Sequence, residues 1–124
     1  MIPKFRAYDS GSLSRMYQPE DVMVGGGNIW INDEDFDAGE WIVNNDLELM
    51  QSTGLKDKNG QEIFEGDVVS IDTDEFDLLF VKYEAGIYWL MDGEECVEHL
   101  SDYYKYVSIV GNIYENQELL EDNK

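Results

Sequence analysis

MQSTGLKDKNGQEIFEGDVVSI, residues 50–71, contains the clearest turn and strand signals of the chain. Its Asn59-Gly60 pair stands between two runs that carry apolar residues, which is the strongest short-range indication of a β-hairpin. Asn tolerates positive φ because its short amide bonds locally, and Gly has no Cβ that would clash there. A second turn is expected at Glu65–Asp67, followed by the β-branched run Val68–Ile71, which favours a half-buried strand. The stretch therefore predicts a strand, a tight turn and a second strand.

The glycines of this stretch raise one functional alternative, a phosphate-binding loop. Such a loop requires several glycines that lead into the N-terminus of a helix. Here the glycines lead into a strand, so we favour a β-turn unit. Gly54 marks a further point at which the backbone is expected to need a conformation closed to other residues.

Four segments carry a family resemblance: GLKDKNG at 54–60, EIFEGDVV at 62–69, PKFRAYD at 3–9 and IVGNIYEN at 109–116. They resemble the signature and the two ends of the YopX family, small proteins encoded by bacteriophages and prophages. Glu20–Leu47 carries little of the resemblance, and Gln117 stands where the family often has proline. The resemblance implies a mainly β fold and a phage or prophage origin. It implies no established activity and supplies no catalytic residues.

Length and composition indicate a folded protein with one domain or a core with a small appended lobe. The chain has 124 residues, enough to bury a core without disulfides or metals. Hydrophobic residues make up 43% and aromatic residues 13%, which separates the chain from disordered acidic tails.

The charge balance is strongly acidic, with 28 Asp and Glu against 8 Lys and Arg and a formal net charge of −20. Such a surface repels nucleic-acid phosphates and anionic membranes, so we expect no direct binding to either. A basic host protein is a more compatible partner. The single cysteine, Cys96, rules out an intramolecular disulfide, and no targeting pattern or bilayer-length apolar run occurs. We therefore expect a cytoplasmic location in the bacterial host cell.

Short strands separated by glycine turns predict a mainly β fold, a small antiparallel barrel or pseudobarrel (SH3-like or similar) with an appended N-terminal hairpin region. A meander is expected from Val68–Ile71, Leu78–Tyr83 and Ile87–Met91. The last strand is expected within Tyr106–Ile113, and its mixed alternation indicates a strand that is either buried on both faces or bent at Gly111. Residues 50–124 are predicted to form the barrel core with a short C-terminal tail, and residues 1–49 the hairpin and acidic-loop region.

The N-terminal region gives weaker signals. Met1–Asp9 reads as a strand and Leu13–Tyr17 as its returning partner. Gly25–Gly27 is expected to be a flexible break before a short strand at Asn28–Ile31. Trp41–Met50 favours a strand, a turn and a second strand, and a single helix is the alternative because residues 43, 47 and 50 fall near one helical face.

The chain has two acidic windows, Asp33–Glu40 and Asp72–Asp77, and the first of them invites a calcium-site interpretation. An EF-hand loop that begins at Asp33 requires Gly at its sixth position and Glu at its twelfth. Ala38 and Asn44 stand there instead. We therefore expect solvated acidic loops, with weak cation binding or mimicry of nucleic acid as the alternatives.

No residue of the chain qualifies as catalytic, cofactor-binding or metal-binding, so we expect no cofactor and no enzyme activity. His99 is the only histidine, and a zinc site would need Cys96 with carboxylates. On a helix, Cys96 and His99 would face one side as a nucleophile pair, but carboxylates flank the cysteine and oppose thiolate formation. A structural cysteine is the favoured interpretation.

The aromatic content suggests protein contacts. The candidates for exposed contact residues are Trp30, Trp41, Trp89, Tyr103 and Tyr104, and burial in the core is the alternative for each. Our leading hypothesis is a non-enzymatic phage accessory protein that binds protein and self-associates as a homo-oligomer. The alternative is an acidic nucleic-acid mimic that inhibits a host DNA-binding or defence protein. A metal-dependent enzyme that uses clustered carboxylates ranks last.

Overall fold

The computed structural model describes residues 4–11, 14–33, 40–71 and 78–121. The chain divides into two compact units, residues 1–51 and residues 52–124. Both are built from antiparallel sheets, one of which curls into a half-barrel, so the predicted mainly β class is confirmed. The SH3-like strand arrangement stays a prediction.

The first unit contains β1 to β5 and the start of β6. The elements in chain order are β1 (Phe5–Asp9), β2 (Arg15–Tyr17), a 3₁₀ turn (Pro19–Asp21), β3 (Val22–Gly25), β4 (Asn28–Asn32), β5 (Trp41–Val43) and β6 (Glu48–Lys56). One sheet has the order β2-β1-β6, and a separate three-stranded sheet has the order β3-β4-β5. Strand, turn and strand over residues 41–50 are confirmed, and the single-helix alternative is wrong.

The predicted flexible break at Gly25–Gly27 is wrong, because this segment is the turn of a hairpin. Strands β3 and β4 pair from Val22 opposite Ile31 to Gly25 opposite Asn28. The two residues between them, Gly26 and Gly27, have φ of 61° and 78°. Two successive positive φ values match the right-handed twist of a hairpin, and glycine adopts them without a steric cost.

A cluster of buried apolar side chains lies in the described part of the first unit. Its members are Ala7, Tyr17, Val22, Ile31 and Leu47. They come from both sheets of the unit, and half-buried apolar residues of β1, β4, β5 and β6 pack against them. This cluster fixes which face of β3-β4-β5 points inward.

The second unit contains the remaining strands and two short helices. Its elements are β7 (Glu62–Phe64), β8 (Asp67–Ile71), β9 (Leu79–Glu84), β10 (Ile87–Asp92), β11 (Glu95–His99), α1 (Leu100–Tyr103), a 3₁₀ turn (Tyr104–Tyr106), β12 (Val107–Asn112) and α2 (Gln117–Glu121). The five-stranded sheet has the order β11-β10-β9-β8-β12. Strands β8, β9 and β10 are neighbours, so the predicted meander is confirmed. The last strand, β12, lies beside β8.

The pairing of β12 is irregular next to Gly111, where one of the two alternatives for the last strand places a bend. The register between β12 and β8 shifts between Ile109 and Gly111. The core of this unit is one cluster of buried side chains: Ile63, Val69, Ile71, Leu79, Val81, Leu90, Leu100 and Val107.

Candidate functional site

The signature turn between β6 and β7 is organised by the carboxylate of Asp57, which is only 5% exposed. Its Oδ1 accepts hydrogen bonds from the backbone N–H groups of Asn59 and Gln61, both at 2.9 Å. Its Oδ2 accepts a bond at 3.0 Å from the N–H of Ile109, which lies 52 residues further along the chain. Asp57 therefore holds its own turn and ties that turn to β12.

Other residues of the stretch 50–71 also stabilise the backbone, through positive φ angles and a hydrogen bond to a backbone N–H group. Gly60 provides the positive φ of the predicted turn, 84°, and Gly54 has a φ of 78° where the pairing of β6 with β7 is irregular. Asp67, 1% exposed, accepts a 2.8 Å hydrogen bond from the N–H of Phe64. The residues that carry the family resemblance are thus explained by backbone geometry and hydrogen bonding.

Cys96 and His99 are not stacked on one helical turn. Both lie in β11, where three residues of extended chain span roughly 10 Å. Cys96 is exposed. The ring of His99 instead packs edge-to-face on Trp89, with 4.4 Å between ring centroids.

The two acidic windows fall largely outside the described residues, since residues 34–39 and 72–77 are not described. Of the window ends that are described, Asp33 is buried and Glu40 is exposed. Within residues 4–11, 14–33, 40–71 and 78–121, no group of three or more His, Cys, Asp or Glu is placed to hold a metal ion. Among the same residues, no helix is long and apolar enough to cross a bilayer.

Asp33 lies at the centre of a buried polar cluster in the first unit. Nη1 of Arg15 contacts both carboxylate oxygens of Asp33 at 2.8 Å, and the hydroxyl of Tyr17 donates a 2.7 Å bond to Oδ2. The side chain of Asp33 is 3% exposed, whereas that of Arg15 is 38% exposed. A buried carboxylate is tolerated because a cation and a hydroxyl group satisfy its oxygens.

The cluster raises the pKa of Tyr17 to about 12. Burial is the largest cause, because it penalises the charged phenolate, and the hydrogen bond to Asp33 and that residue's negative charge add to it. The nearby Arg15 opposes the shift but does not cancel it. Tyr17 therefore keeps its proton, and with it the hydrogen bond to Asp33, above the pH at which an ordinary tyrosine ionises.

A cleft of about 340 Å³ opens beside this cluster. Its walls are residues 15–18 with Asp21, Asn32 and Asp33. Asn32 lines the cleft, and its Oδ1, which is buried from solvent, accepts no hydrogen bond from any residue that the structure describes. An acceptor left without a donor is uncommon in folded proteins and calls for an explanation.

A second surface is the outer face of β3-β4-β5, which we define as Met23, Trp30, Trp41 and Val43. Met23 lies opposite Trp30, and Trp30 lies opposite Val43, so the three side chains form one row across the sheet. Met23 is 47% exposed, Val43 44% and Trp41 38%, and Trp30 is half-buried. The row is therefore a continuous apolar strip on the surface of this unit.

The sheet that carries the outer face contains no charged residue in its strands. Residues 22–32 and 41–45 are uncharged, although 29% of the whole chain is Asp, Glu, Lys or Arg. A carboxylate-free surface is thus a local exception in a strongly anionic protein.

The five aromatic candidates divide between surface and core. Trp41 is exposed on the outer face, and Trp30 lies beside it in the same sheet. Tyr103 and Tyr104 pack against the core of the second unit, and Trp89 contacts His99.

Sequence reasoning missed Asp21 and Asn32 of the cleft altogether. The uncharged run at residues 22–32 is the sequence signal that indicates the apolar outer face of β3-β4-β5.

The comparisons with known proteins place the chain among small proteins of the same size. The family profile described as YopX protein matches residues 4–121. The crystal structure of protein EF1440 from Enterococcus faecalis is similar with 27% identity and a TM-score of 0.65, covering 97% of this chain and 99% of that one. The crystal structure of protein yopX from Bacillus subtilis is similar with 19% identity and a TM-score of 0.62, covering 94% and 97%. No curated protein matches the chain.

Proposed function

Since the chain belongs to the YopX protein family, we propose that it is a phage- or prophage-encoded accessory protein that acts through protein contacts rather than catalysis. It works in the cytoplasm of the bacterial host cell and self-associates through the outer face of β3-β4-β5. The exposed apolar strip of Met23, Trp30, Trp41 and Val43 is the observation that supports this proposal. Trp and Met are enriched at protein interfaces, and contiguous exposed apolar patches mark them.

Charge supports a second copy of the chain as the occupant of this face. Two molecules that each carry a formal charge of −20 repel wherever carboxylates meet. The strands of β3-β4-β5 bring no charge to the contact. Two identical chains that meet there therefore bring no charged strand residue of this sheet into contact.

Multi-angle light scattering tests the proposal. The wild-type protein is expected to have a mass that is a multiple of 14.3 kDa. Val43→Glu places a carboxylate in the apolar strip and is expected to shift the mass to that of the monomer. Val24→Glu is the matched control, because Val24 is 43% exposed against 44% for Val43 but its side chain points to the other face of the sheet.

Two results would contradict self-association through this face. One is a wild-type mass of 14.3 kDa at every concentration. The other is an equal loss of mass in Val43→Glu and Val24→Glu, since the face would then be irrelevant.

A second candidate function is mimicry of nucleic acid, in which the protein occupies a host DNA-binding or defence protein. Its support is the excess of 28 acidic over 8 basic residues. A mimic competes with DNA for a basic protein, and its binding weakens steeply as salt is raised. Binding that does not change with salt, or that DNA does not displace, excludes this function.

A further inference from the structure

Asn59 carries a side chain whose chemistry the turn of residues 57–61 does not use. It is the only asparagine of the chain that precedes glycine, and both Asn59 and Gly60 are exposed. An exposed side chain changes rotamer within nanoseconds, so the Asn59 amide reaches its own backbone readily. Gly60 has no Cβ to block an approach to its nitrogen, and the place of a Cβ has no neighbouring atom within 4 Å. The side-chain carbonyl carbon of Asn59 is therefore accessible to the backbone nitrogen of Gly60.

The turn restrains that nitrogen. The N–H of Gly60 donates a 3.0 Å hydrogen bond to the carbonyl oxygen of Asp57. Oδ1 of Asp57 also holds the N–H groups of Asn59 and Gln61, on either side of Gly60, each at 2.9 Å. The nitrogen must release its hydrogen bond before it loses its proton and turns towards the Asn59 side chain. A reaction between the two residues therefore requires a local opening of the turn.

We propose that Asn59 is a site of spontaneous deamidation and that the turn held by Asp57 sets its rate. In the opened turn, the nitrogen of Gly60 loses its proton to solvent and forms a bond to Cγ of Asn59. The bond from Cγ to the side-chain nitrogen breaks, and ammonia leaves with a proton taken from water. Water then opens the resulting succinimide ring at either carbonyl carbon, which yields aspartate or isoaspartate. The site does not depend on self-association, which uses the outer face of β3-β4-β5.

The isoaspartate product does not fit the turn. Its main chain runs through Cβ and Cγ, which inserts one extra backbone atom before Gly60. Oδ1 of Asp57 receives N–H groups from both sides of this point, those of Asn59 and Gln61, so the extra atom moves one donor out of hydrogen-bond range. Modification therefore loosens the carboxylate that also binds the N–H of Ile109 in β12.

Peptide mapping by mass spectrometry during incubation at mildly alkaline pH measures the reaction. The folded protein is compared with a blocked peptide of residues 56–64, which serves as the unfolded reference. Residue 59 is expected to deamidate in both, but about tenfold more slowly in the folded protein, because the turn is open for only a fraction of the time. Hydrogen exchange of the Gly60 amide reports the same opening, and we expect it to be slowed by a factor that agrees within about threefold.

Two pairs of proteins test the gate and the product. Asp57→Ala, in samples shown to be folded by circular dichroism, is expected to deamidate about tenfold faster than the wild type. Asp92→Ala removes an exposed carboxylate at the end of β10 and is expected to leave the rate unchanged. The purified isoaspartate form is expected to unfold at a lower urea concentration than Asn59→Asp, which reproduces the other product with a backbone of normal length.

The proposal is overturned if residue 59 of the folded protein stays unmodified while hydrogen exchange shows that the turn opens. Equal deamidation rates in the folded protein and the peptide, or in Asp57→Ala and Asp92→Ala, also overturn it. If Asp57→Ala does not fold, the wild type still decides, because unequal slowing of deamidation and of Gly60 exchange would show that the turn is not the gate. An isoaspartate form as stable as Asn59→Asp contradicts the loss of the turn.

Discussion

The cluster of Arg15, Tyr17 and Asp33 shows how single residues make a buried charge acceptable. The carboxylate of Asp33 receives a guanidinium and a phenolic hydroxyl, both within 2.8 Å. The phenol in turn is stabilised in its protonated form, which raises the pKa of Tyr17 to about 12 through burial first and Asp33 second. The stability of the first unit should therefore depend on pH in the alkaline range.

We predict that the protein loses stability between pH 10 and pH 12 and that Tyr17→Phe loses less. The unfolded chain releases the Tyr17 proton near pH 10, but the folded chain keeps it until about pH 12. Because the folded state binds more protons in this window, its stability falls as pH rises. The shift corresponds to at most about 3 kcal/mol.

Urea unfolding of both proteins at several pH values from 8 to 12 measures this contribution. The other tyrosines, including Tyr88, whose pKa is also raised by burial, are present in both proteins, so the difference isolates Tyr17. At pH 8 we expect Tyr17→Phe to be less stable by about 2 kcal/mol, because Asp33 loses a hydrogen bond. Parallel stability curves for the two proteins would show that Tyr17 has no shifted pKa.

At the scale of the element, the turn of residues 57–61 depends on one side chain. Asp57 accepts hydrogen bonds from three backbone N–H groups, and the N–H of Lys58 donates to the carbonyl of Val107 at 3.0 Å. The turn is thus held both internally and against the last strand.

We predict that Asp57→Ala destabilises the protein by about 3 kcal/mol, because buried N–H groups lose a charged acceptor. Asp92→Ala is the control, since Asp92 is an exposed carboxylate at the end of β10, and we expect it to change stability by about 0.5 kcal/mol or less. Urea denaturation at pH 7 measures both. Equal effects of the two substitutions would refute the role assigned to Asp57.

Local signals account for most of the predicted elements, and long-range contacts account for what was missed. The β-branched run at Val68–Ile71 and the turn residues around it indicate β8 without reference to the rest of the chain. The hairpin at Gly26-Gly27 is accessible to the same reasoning, but adjacent glycines fit a flexible break as well as a tight turn, and only the structure distinguishes the two. The predicted elements thus rest on patterns a few residues long.

The contacts of the candidate site lie beyond such patterns. Tyr17 and Asp33 are 16 residues apart, and Asp57 and Ile109 are 52 residues apart. The burial of Asn32 is decided by which elements line the cleft, and no motif around Asn32 records it. For this reason the sequence predicts the class of the fold better than it predicts the cleft.

For the whole molecule, the formal charge of −20 is the dominant electrostatic quantity. Carboxylates that repel one another in the compact state move apart on unfolding, so the charge lowers stability. Mobile ions screen this repulsion, and the screening length falls from about 30 Å at 0.01 M salt to about 3 Å at 1 M.

We predict that NaCl raises the urea midpoint of unfolding steadily over this range without a change in the m-value. The ion pair between Arg15 and the buried carboxylate of Asp33 is screened less than exposed carboxylates and does not offset the gain. A chloride salt is the suitable choice, because sulfate stabilises proteins by exclusion as well as by screening. A midpoint that is constant or falls with NaCl would show that self-repulsion is unimportant here.

The hydrogen bond from Ile109 to Asp57 has a consequence for synthesis on the ribosome. A nascent chain that has emerged as far as β8 already contains the whole 57–61 turn, yet the third donor to its carboxylate, the N–H of Ile109, has not yet left the ribosome. Strand β12 must also arrive before β8 gains its second neighbour in the sheet. The second unit therefore completes its fold only after translation has passed residue 109, and a chain stalled earlier exposes an open strand edge to chaperones and proteases.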